Sequence, residues 1–417
     1  MTAISQKLQP LFDNVANLQI AAAPAWLSNE QAKDYHAACQ FLLAYQHNTA
    51  TFNAYRREVE RLLQWCLIRQ KKTLSGLKRE DMDVYLKFCQ TPLKSWISLK
   101  KVPRFITTQG KRLPNPKWRP FVATLSKNES FQGKQPSITN YQLSEKSLRD
   151  IMTVTSSFFN FLLQEDMLQI NPMQQLRQKS RYFTKHQSKK VIRKLSELQW
   201  GYVIETAHLM AAEDNKHERC LFVISALYGM YLRISELVST SRWSPQMGHF
   251  QRDNDGLWWF TTVGKGNKER QIAVSTAMLK TLKRWRKHLG LTALPSIGET
   301  TPLLPKQLGQ GPLCSDRPIR QLVQLCFDNT VARLQADGFN DDAEQLMSAT
   351  VHWLRHTGIS DDVKIRPREH VRDDAGHSSS AMTDKYIDVT LQERSQSAKK
   401  KQIIPDSVKA DISRQNL

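Results

Sequence analysis

The sequence predicts a mainly α-helical fold with a small antiparallel β-sheet, divided into a helical N-terminal domain and a mixed α/β C-terminal domain. Three observations predict it. Apolar residues recur every three to four positions through most of the chain, the spacing of one helix face. Two short runs of β-forming residues, Leu257–Thr262 and Gln271–Val274, flank the turn Gly264-Lys265-Gly266-Asn267, the pattern of a hairpin with a longer loop. Between the two halves, residues 171–193 hold seven basic and no acidic residues, which marks an exposed junction. A chain of 417 residues is long enough for two or three domains, each burying its own core.

Residues 1–27 read as a leader with one short helix. At Ser28 the helical pattern begins, and Gln31 three residues on completes a capping box. In 51–67, Phe52, Tyr55, Val59, Leu62, Leu63 and Cys66 form one apolar stripe. A third helix over 81–89 turns Met82, Tyr85, Leu86 and Cys89 inward. Residues 91–140 break the pattern. They carry six prolines, ten Lys or Arg and a single acid, Glu129. This reads as an inserted, mostly loop segment, with Trp96, Phe105 and Trp118 set among cations. Two readings stand for it: a solvated linker anchored by aromatics, or a segment lying along phosphates. Helix returns at 144–168 with Leu148, Ile151, Met152, Phe158, Phe159 and Leu162 on one face, and Asn171-Pro172 interrupts it. The first domain therefore spans 28–178 and a basic linker spans 179–194. In the second domain, 195–390, helices are predicted at 196–211, 218–232, 277–289, 318–335, 342–347 and from about 350. A polar tail follows at 391–417.

The chain has 60 Lys and Arg against 39 Asp and Glu, a formal net charge of +21. Such an excess favours a polyanion, nucleic acid first and an anionic membrane surface second. Lys179, Arg181, Lys185, Lys189, Lys190 and Arg193 in the linker are candidate phosphate contacts. Six cysteines without CxxC spacing argue against a disulfide scaffold or a thiolate zinc site. No stretch has the apolar length of a membrane span, and no signal peptide is legible. A reducing, cytosolic compartment is expected.

The chemistry-bearing residues are scattered. His352 and Arg355 are three residues apart on a predicted helix and so share a face. Arg233 lies near the end of another helix, and Lys265 lies at the hairpin tip. His377 follows a glycine in a turn, and Tyr386 comes nine residues later. Two arginines, a lysine and two histidines suit an oxyanion such as a phosphate. Each has a plainer reading alone: Arg233 could end an amphipathic helix, Lys265 or its neighbour Lys268 could be solvated turn lysines, and the histidines and Tyr386 could be structural. Tyr228 and Tyr231 read as core residues of the helix carrying Arg233. His356 and His370 receive no role. The i,i+4 pair His352 and His356 lacks the glutamate of a zinc protease, so no metal is expected.

Four segments resemble the boxes of the tyrosine recombinases, the phage-integrase family. They are Ala226-Leu227-Tyr228-Gly229-Met230-Tyr231-Leu232-Arg233-Ile234-Ser235-Glu236-Leu237, Val263-Gly264-Lys265-Gly266-Asn267-Lys268-Glu269-Arg270, His352-Trp353-Leu354-Arg355-His356-Thr357, and Gly376-His377-Ser378-Ser379 followed by Tyr386. Their order and spacing are those of the family. The resemblance implies a helical core-binding domain and a catalytic domain closing around duplex DNA. It implies Tyr386 as the nucleophile that forms a 3′-phosphotyrosyl link. Arg233 and Arg355 would hold the phosphate, Lys265 would protonate the leaving 5′-oxygen, His352 would handle the tyrosine proton, and His377 would bond the phosphate. No cofactor is implied. The partners implied are double-stranded DNA with specific core sites, a homotetramer on two sites and accessory proteins, in a bacterial nucleoid. Integration and excision of a mobile element is the expected role. Alternatives are dimer resolution of chromosomes or plasmids, type IB topoisomerase activity, and a DNA-binding protein without catalysis. The stretch Ser360–Asp374 is unusually polar for the family, with Asp361, Asp362, Asp373 and Asp374.

Overall fold

The computed structural model describes residues 8–19, 22–174, 176, 193–264 and 266–386. The chain separates into two compact units, Met1–Ser188 and Lys189–Leu417. No described helix is long and apolar enough to cross a membrane.

The first unit is built on α1 (Val15–Leu18), α2 (Asn29–Leu43), α3 (Thr49–Trp65), α4 (Arg79–Gln90) and α6 (Glu145–Gln164), with the short α5 at Lys127–Phe131. Local chemistry starts the long helices. Ser28 accepts from the Gln31 amide while Gln31 returns a bond to the Ser28 amide, the capping box read from the sequence. Asn48 caps α3 and Ser144 caps α6. Phe41 of α2 packs on Phe158 of α6 at 5.0 Å between ring centres. Val59, Leu62, Met82, Leu86 and Leu162 are fully buried beside them.

Two parts of this unit depart from the sequence reading. Residues 8–18 are no separate leader: Leu11, Phe12 and Leu18 lie in the same core. The buried Glu60 carboxylate receives the backbone N–H groups of Leu11 and Phe12, which ties the segment down. The 91–140 segment is loop over more than half its length, as expected, but it also carries paired strands. β1 (Ile97–Ser98) pairs in parallel with β4 (Phe121–Val122), and between them β2 (Phe105–Thr108) and β3 (Lys111–Pro114) form an antiparallel hairpin. The hairpin turns through Gln109 and Gly110, both at positive φ, as a two-residue turn between twisted strands requires. Trp96, Trp118 and Phe121 are buried. Two- and four-residue strands are too short to show a period, so only tertiary pairing reveals them.

The second unit holds α7 (Glu197–Glu213), α8 (Glu218–Gly229), β5 (Phe250–Arg252), β6 (Trp258–Val263), β7 (Glu269–Ala273), α9 (Thr276–His288), α10 (Arg317–Ala336), α11 (Asn340–Met347), α12 (Val351–Asp362), α13 (Arg368–Ala375) and the single turn α14 (Ser380–Thr383). Ser196 and Gln199 form a second capping box at the start of α7. Helix α8 is shorter than the predicted 218–232. The sheet has three strands, not two, in the order β5-β6-β7, all antiparallel. Its core face carries Phe250, Phe260 and Ile272 in cross-strand register. They pack with Leu227, Leu282, Trp285 and Leu354 in one apolar cluster.

Helices α8 and α12 approach so closely that Gly358 has no room for a side chain. A Cβ there would fall 2.1 Å from the Tyr228 carbonyl oxygen. Backbone cannot swing aside as a side chain can, so the helices must separate. Gly358→Ala is expected to destabilise the protein by about 1–3 kcal/mol or more. Chemical denaturation checks this, and an unchanged midpoint would contradict the close packing.

Candidate active site

Helix α8 stops at Gly229. Tyr231 then takes a left-handed conformation, φ +49°, which is costly for a non-glycine residue. It is over-determined: the ring is buried, and the Tyr231 hydroxyl bonds both Asp362 and Arg366. So Tyr231 is not a residue of the α8 helix, as the sequence suggested. The reversal delivers Arg233 in extended backbone at the head of a 3-10 turn, Ile234–Glu236.

Glu236 closes that turn and is fully buried. Its carboxylate accepts from the Arg233 amide at 2.8 Å and from Arg233 Nη1 at 3.0 Å. Arg270 on β7 adds a two-pronged pair, Nη1 and Nη2 each at 2.8 Å. Burial would raise the Glu236 pKa, but Arg270 and Arg233 outweigh it and hold the group below its ordinary value. Arg270 Nε donates to the Asp374 carbonyl at 2.9 Å, which ties the sheet to α13. Gly264 lies against this group: a Cβ there would meet Arg270 Nη1 at 2.9 Å and Glu236 Oε1 at 3.2 Å.

Arg355 projects from α12 and is buried. Nη1 donates to the Tyr231 carbonyl, and Nη2 donates to the Ala375 carbonyl at 2.6 Å and faces His377 Nε2 at 3.4 Å. Burial first, then the nearby Arg233 charge, lowers its pKa to about 9. Glu236 offsets these effects only in part, so an arriving phosphate would be favoured. His377 sits just after Gly376, whose φ of +63° ends α13 in the left-handed conformation that suits glycine. The other ring nitrogen, Nδ1, lies 2.9 Å from Thr383 Oγ1.

Tyr386 ends a 3-10 turn directly after α14 and is 9% exposed. It packs with Tyr231, Ile359, Val371 and Ala375. Its ring lies nearly parallel to His377 at 5.7 Å and meets His356 at 5.2 Å. His356 in turn meets His352 edge-on at 4.2 Å. Burial pushes the Tyr386 phenol up, against the opposing pull of Arg355 and Arg233. Partial withdrawal from water, then Arg355, Arg233 and Arg320, push His352 down. Burial, His352, Arg355 and His377 bring His356 to about 4, so both rings are neutral at pH 7.

The fold thus brings together Arg233, His352, Arg355, His377 and Tyr386, which enter from four separate stretches of chain. Lys265 lies outside the described residues, but its neighbour Gly264 abuts the Arg233 and Arg270 guanidinium groups. Of the linker cations, Lys179, Arg181, Lys185, Lys189 and Lys190 also lie outside them, and Arg193 is exposed. Sequence reasoning missed Glu236, Arg270 and His356 as members of this group, although all three stand inside the motif boxes. The polar stretch 360–374 also has its account. Asp361 accepts from Tyr228, Asp362 from Tyr231, and Asp374 from Arg366 at 2.6 Å and from the Ala273 amide at 3.2 Å. These carboxylates brace the residues around Arg355.

No protein-family model matches the chain. A curated relative, the tyrosine recombinase XerC of Pediococcus pentosaceus, is 24% identical over 271 residues, covering 62% of this chain and 76% of the relative. Among solved structures, XerH site-specific recombinase in its post-cleavage complex with a palindromic difH substrate aligns with a TM-score of 0.53 at 13% identity, over 92% of each chain. Its pre-cleavage complex with difH aligns at 0.51, also at 13% identity, over 94% of this chain and 99% of that one. At such identity the structures speak for the fold. The fold, the ordered motif boxes and the curated relative agree: the chain is similar to the tyrosine recombinases.

Proposed function

We propose that the protein cuts and rejoins duplex DNA at specific sites through a covalent tyrosyl intermediate. The observation that carries this reading is that Tyr386 stacks on His377, His377 faces Arg355, and Arg355 and Arg233 lie close enough for their charges to act on the phenol, a set suited to a phosphate. Tyr386 Oη would attack phosphorus, forming a 3′-phosphotyrosyl bond as the bond to the 5′-oxygen breaks. The phenol proton passes to a neutral histidine, His352 in this reading, with His356 in contact with both rings. Lys265 supplies the proton of the departing 5′-hydroxyl. Arg233 and Arg355 neutralise the charge that grows on the non-bridging oxygens, and His377 donates to one of them. The bond energy stays in the phosphotyrosyl link, so a 5′-hydroxyl from a second duplex can reverse the step without a high-energy cofactor.

In this reading residues 28–178 grip the core site, 195–390 perform the chemistry, and the linker cations Lys179, Arg181, Lys185, Lys189, Lys190 and Arg193 lie along backbone phosphates. Four protomers on two sites would exchange strands. Integration and excision of a mobile element fits this chemistry. Resolution of chromosome or plasmid dimers fits it equally, and similarity to a XerC recombinase favours the latter.

A suicide duplex nicked beside the cleavage site traps the first half-reaction. The wild-type protein is expected to shift on a denaturing gel as a covalent adduct at a DNA 3′ end. Adduct at a 5′ end, or none on any duplex carrying the DNA around the gene, would overturn the reading. Rapid relaxation of a supercoiled plasmid that lacks a recombination site, with no recombinants, would support a type IB topoisomerase instead.

A further inference from the structure

The 91–140 segment builds a feature the recombination chemistry does not use. Between the solvent side of α3 and the stretch 100–122 lies a cleft of about 510 Å³. Six cations line it, Arg56, Arg57, Lys100, Lys101, Arg104 and Arg119, and no carboxylate does. Trp118 forms part of its wall, with the Arg104 guanidinium over its ring at 4.7 Å.

The acids of this region sit behind the cleft rather than in it. Buried Glu60 pairs with Arg104, and buried Glu58 is shared by Arg57 and Arg61 at 2.6 Å each. Asp13 is taken by Arg112. The remaining cations lean on neutral acceptors. Arg56 donates to the Asp13 carbonyl and to Asn53 Oδ1, and its buried Nε has no partner among the described residues. Arg119 donates to the Pro116 and Trp118 carbonyls. Lys100 and Lys101 are exposed at the mouth. Burial first, then the crowding of Arg56 and Arg57, drives the Arg104 pKa down to about 9.

The cleft is preformed. Asn115 donates its side-chain N–H to the Pro103 carbonyl at 2.7 Å and its backbone N–H to the Arg104 carbonyl at 2.8 Å. The β1–β4 pair holds the far end. A rigid, acid-free, open groove lined by arginine forks suits phosphodiester oxygens, which the forks can grip in pairs. An anionic protein segment would bring fewer charges per unit length than a duplex, which presents one every 1.7 Å or so.

We infer that this cleft is a second DNA-backbone site, in which the inserted segment grips phosphates of the bound duplex without reading its sequence. The inference rests on the proposed action on duplex DNA. Each lysine contributes through counterion release, so its loss flattens the salt dependence of binding.

The test uses the full chain and a random-sequence duplex, with affinity followed by fluorescence anisotropy across a salt series. Lys100→Gln with Lys101→Gln should reduce the slope of log K against log salt by about 1.8, some 0.9 per lost phosphate contact. The loss should be the same for every duplex sequence, and the paired Lys→Arg variants should keep the wild-type slope. Both positions are exposed, and a thermal melt matching wild type verifies the fold. The comparison pair is Lys134→Gln with Lys146→Gln, exposed lysines of the same unit that do not line the cleft. An unchanged slope in the Lys100 and Lys101 variant overturns the inference, as does an equal fall in the comparison pair. A wild-type protein that binds no duplex at any salt overturns the DNA reading itself, and that result is distinguishable from the other two.

Discussion

Tyr386→Phe is expected to bind duplex DNA with the affinity and salt dependence of the wild type and to yield no covalent adduct on a suicide substrate. The substitution removes one oxygen and leaves the ring. That ring makes the packing contacts: it stacks on His377, meets His356 and closes a small cluster with Tyr231, Ile359, Val371 and Ala375. Phenylalanine keeps all of these, so folding should change by no more than about 1 kcal/mol, the net worth of an ordinary hydrogen bond. Catalysis has no such substitute. In the proposed reaction the hydroxyl is the atom that bonds to phosphorus, and the neighbouring arginines and imidazoles cannot replace it with the same product. The measurement is adduct yield at saturating protein, with binding followed separately. An adduct that persists in the variant removes Tyr386 as the nucleophile. Binding lost together with chemistry would make the tyrosine structural.

The second large effect belongs to a residue that never touches substrate in this reading. Glu236→Ala should destabilise the protein by about 3–5 kcal/mol, the usual result of leaving a buried charge without its partner. The Arg233 and Arg270 guanidinium groups converge on this carboxylate, and Arg355 lies near enough to feel Arg233. Without the carboxylate, three positive charges repel one another at a site largely withdrawn from water. Each kcal/mol should appear as roughly 2–4 °C of melting temperature in a domain this size. Glu236→Ala combined with Arg270→Ala should recover part of the loss, because the second change removes the stranded charge.

The pH dependence follows from the same group. The folded protein holds the Glu236 pKa below the ordinary 4.5, against burial and through Arg270 and Arg233. A depressed carboxylate stabilises the fold fully above 4.5 and loses that contribution as pH falls through the lower folded value. The stability difference between wild type and Glu236→Gln should therefore be constant near neutrality and shrink only below pH 4.5. A gap that stays constant into the acid range, or that closes above that point, would show that Glu236 is not held ionised by its arginines.

Much of the architecture was legible from the chain because it depends on neighbours in sequence. The capping box at Ser28 forms between residues three apart and appears where the motif stands. The stripe Leu148, Ile151, Met152, Phe158, Phe159 and Leu162 is buried, as helix periodicity requires. The pieces that were not legible are those that depend on distant partners. β5 is three residues long and exists because Phe250 pairs with Phe260. The β1–β4 pair and the hairpin between them lie among prolines and cations, where no period survives. The short segment around Phe12 looks featureless until Glu60, 48 residues away, takes its backbone N–H groups.

The site divides along the same line. Residue types and spacing, with the resemblance of four segments to the family's boxes, nominated Arg233, Lys265, His352, Arg355, His377 and Tyr386 as a set suited to a phosphate. Order along a chain says nothing of which groups share an anion. That Glu236 gathers Arg233 and Arg270, that His356 bridges His352 and Tyr386, and that Arg355 is buried against two carbonyls were decided by the fold. The physical reason is range: caps and helix faces are set by contacts within a few residues, whereas ionisation and orientation depend on charges brought close through space.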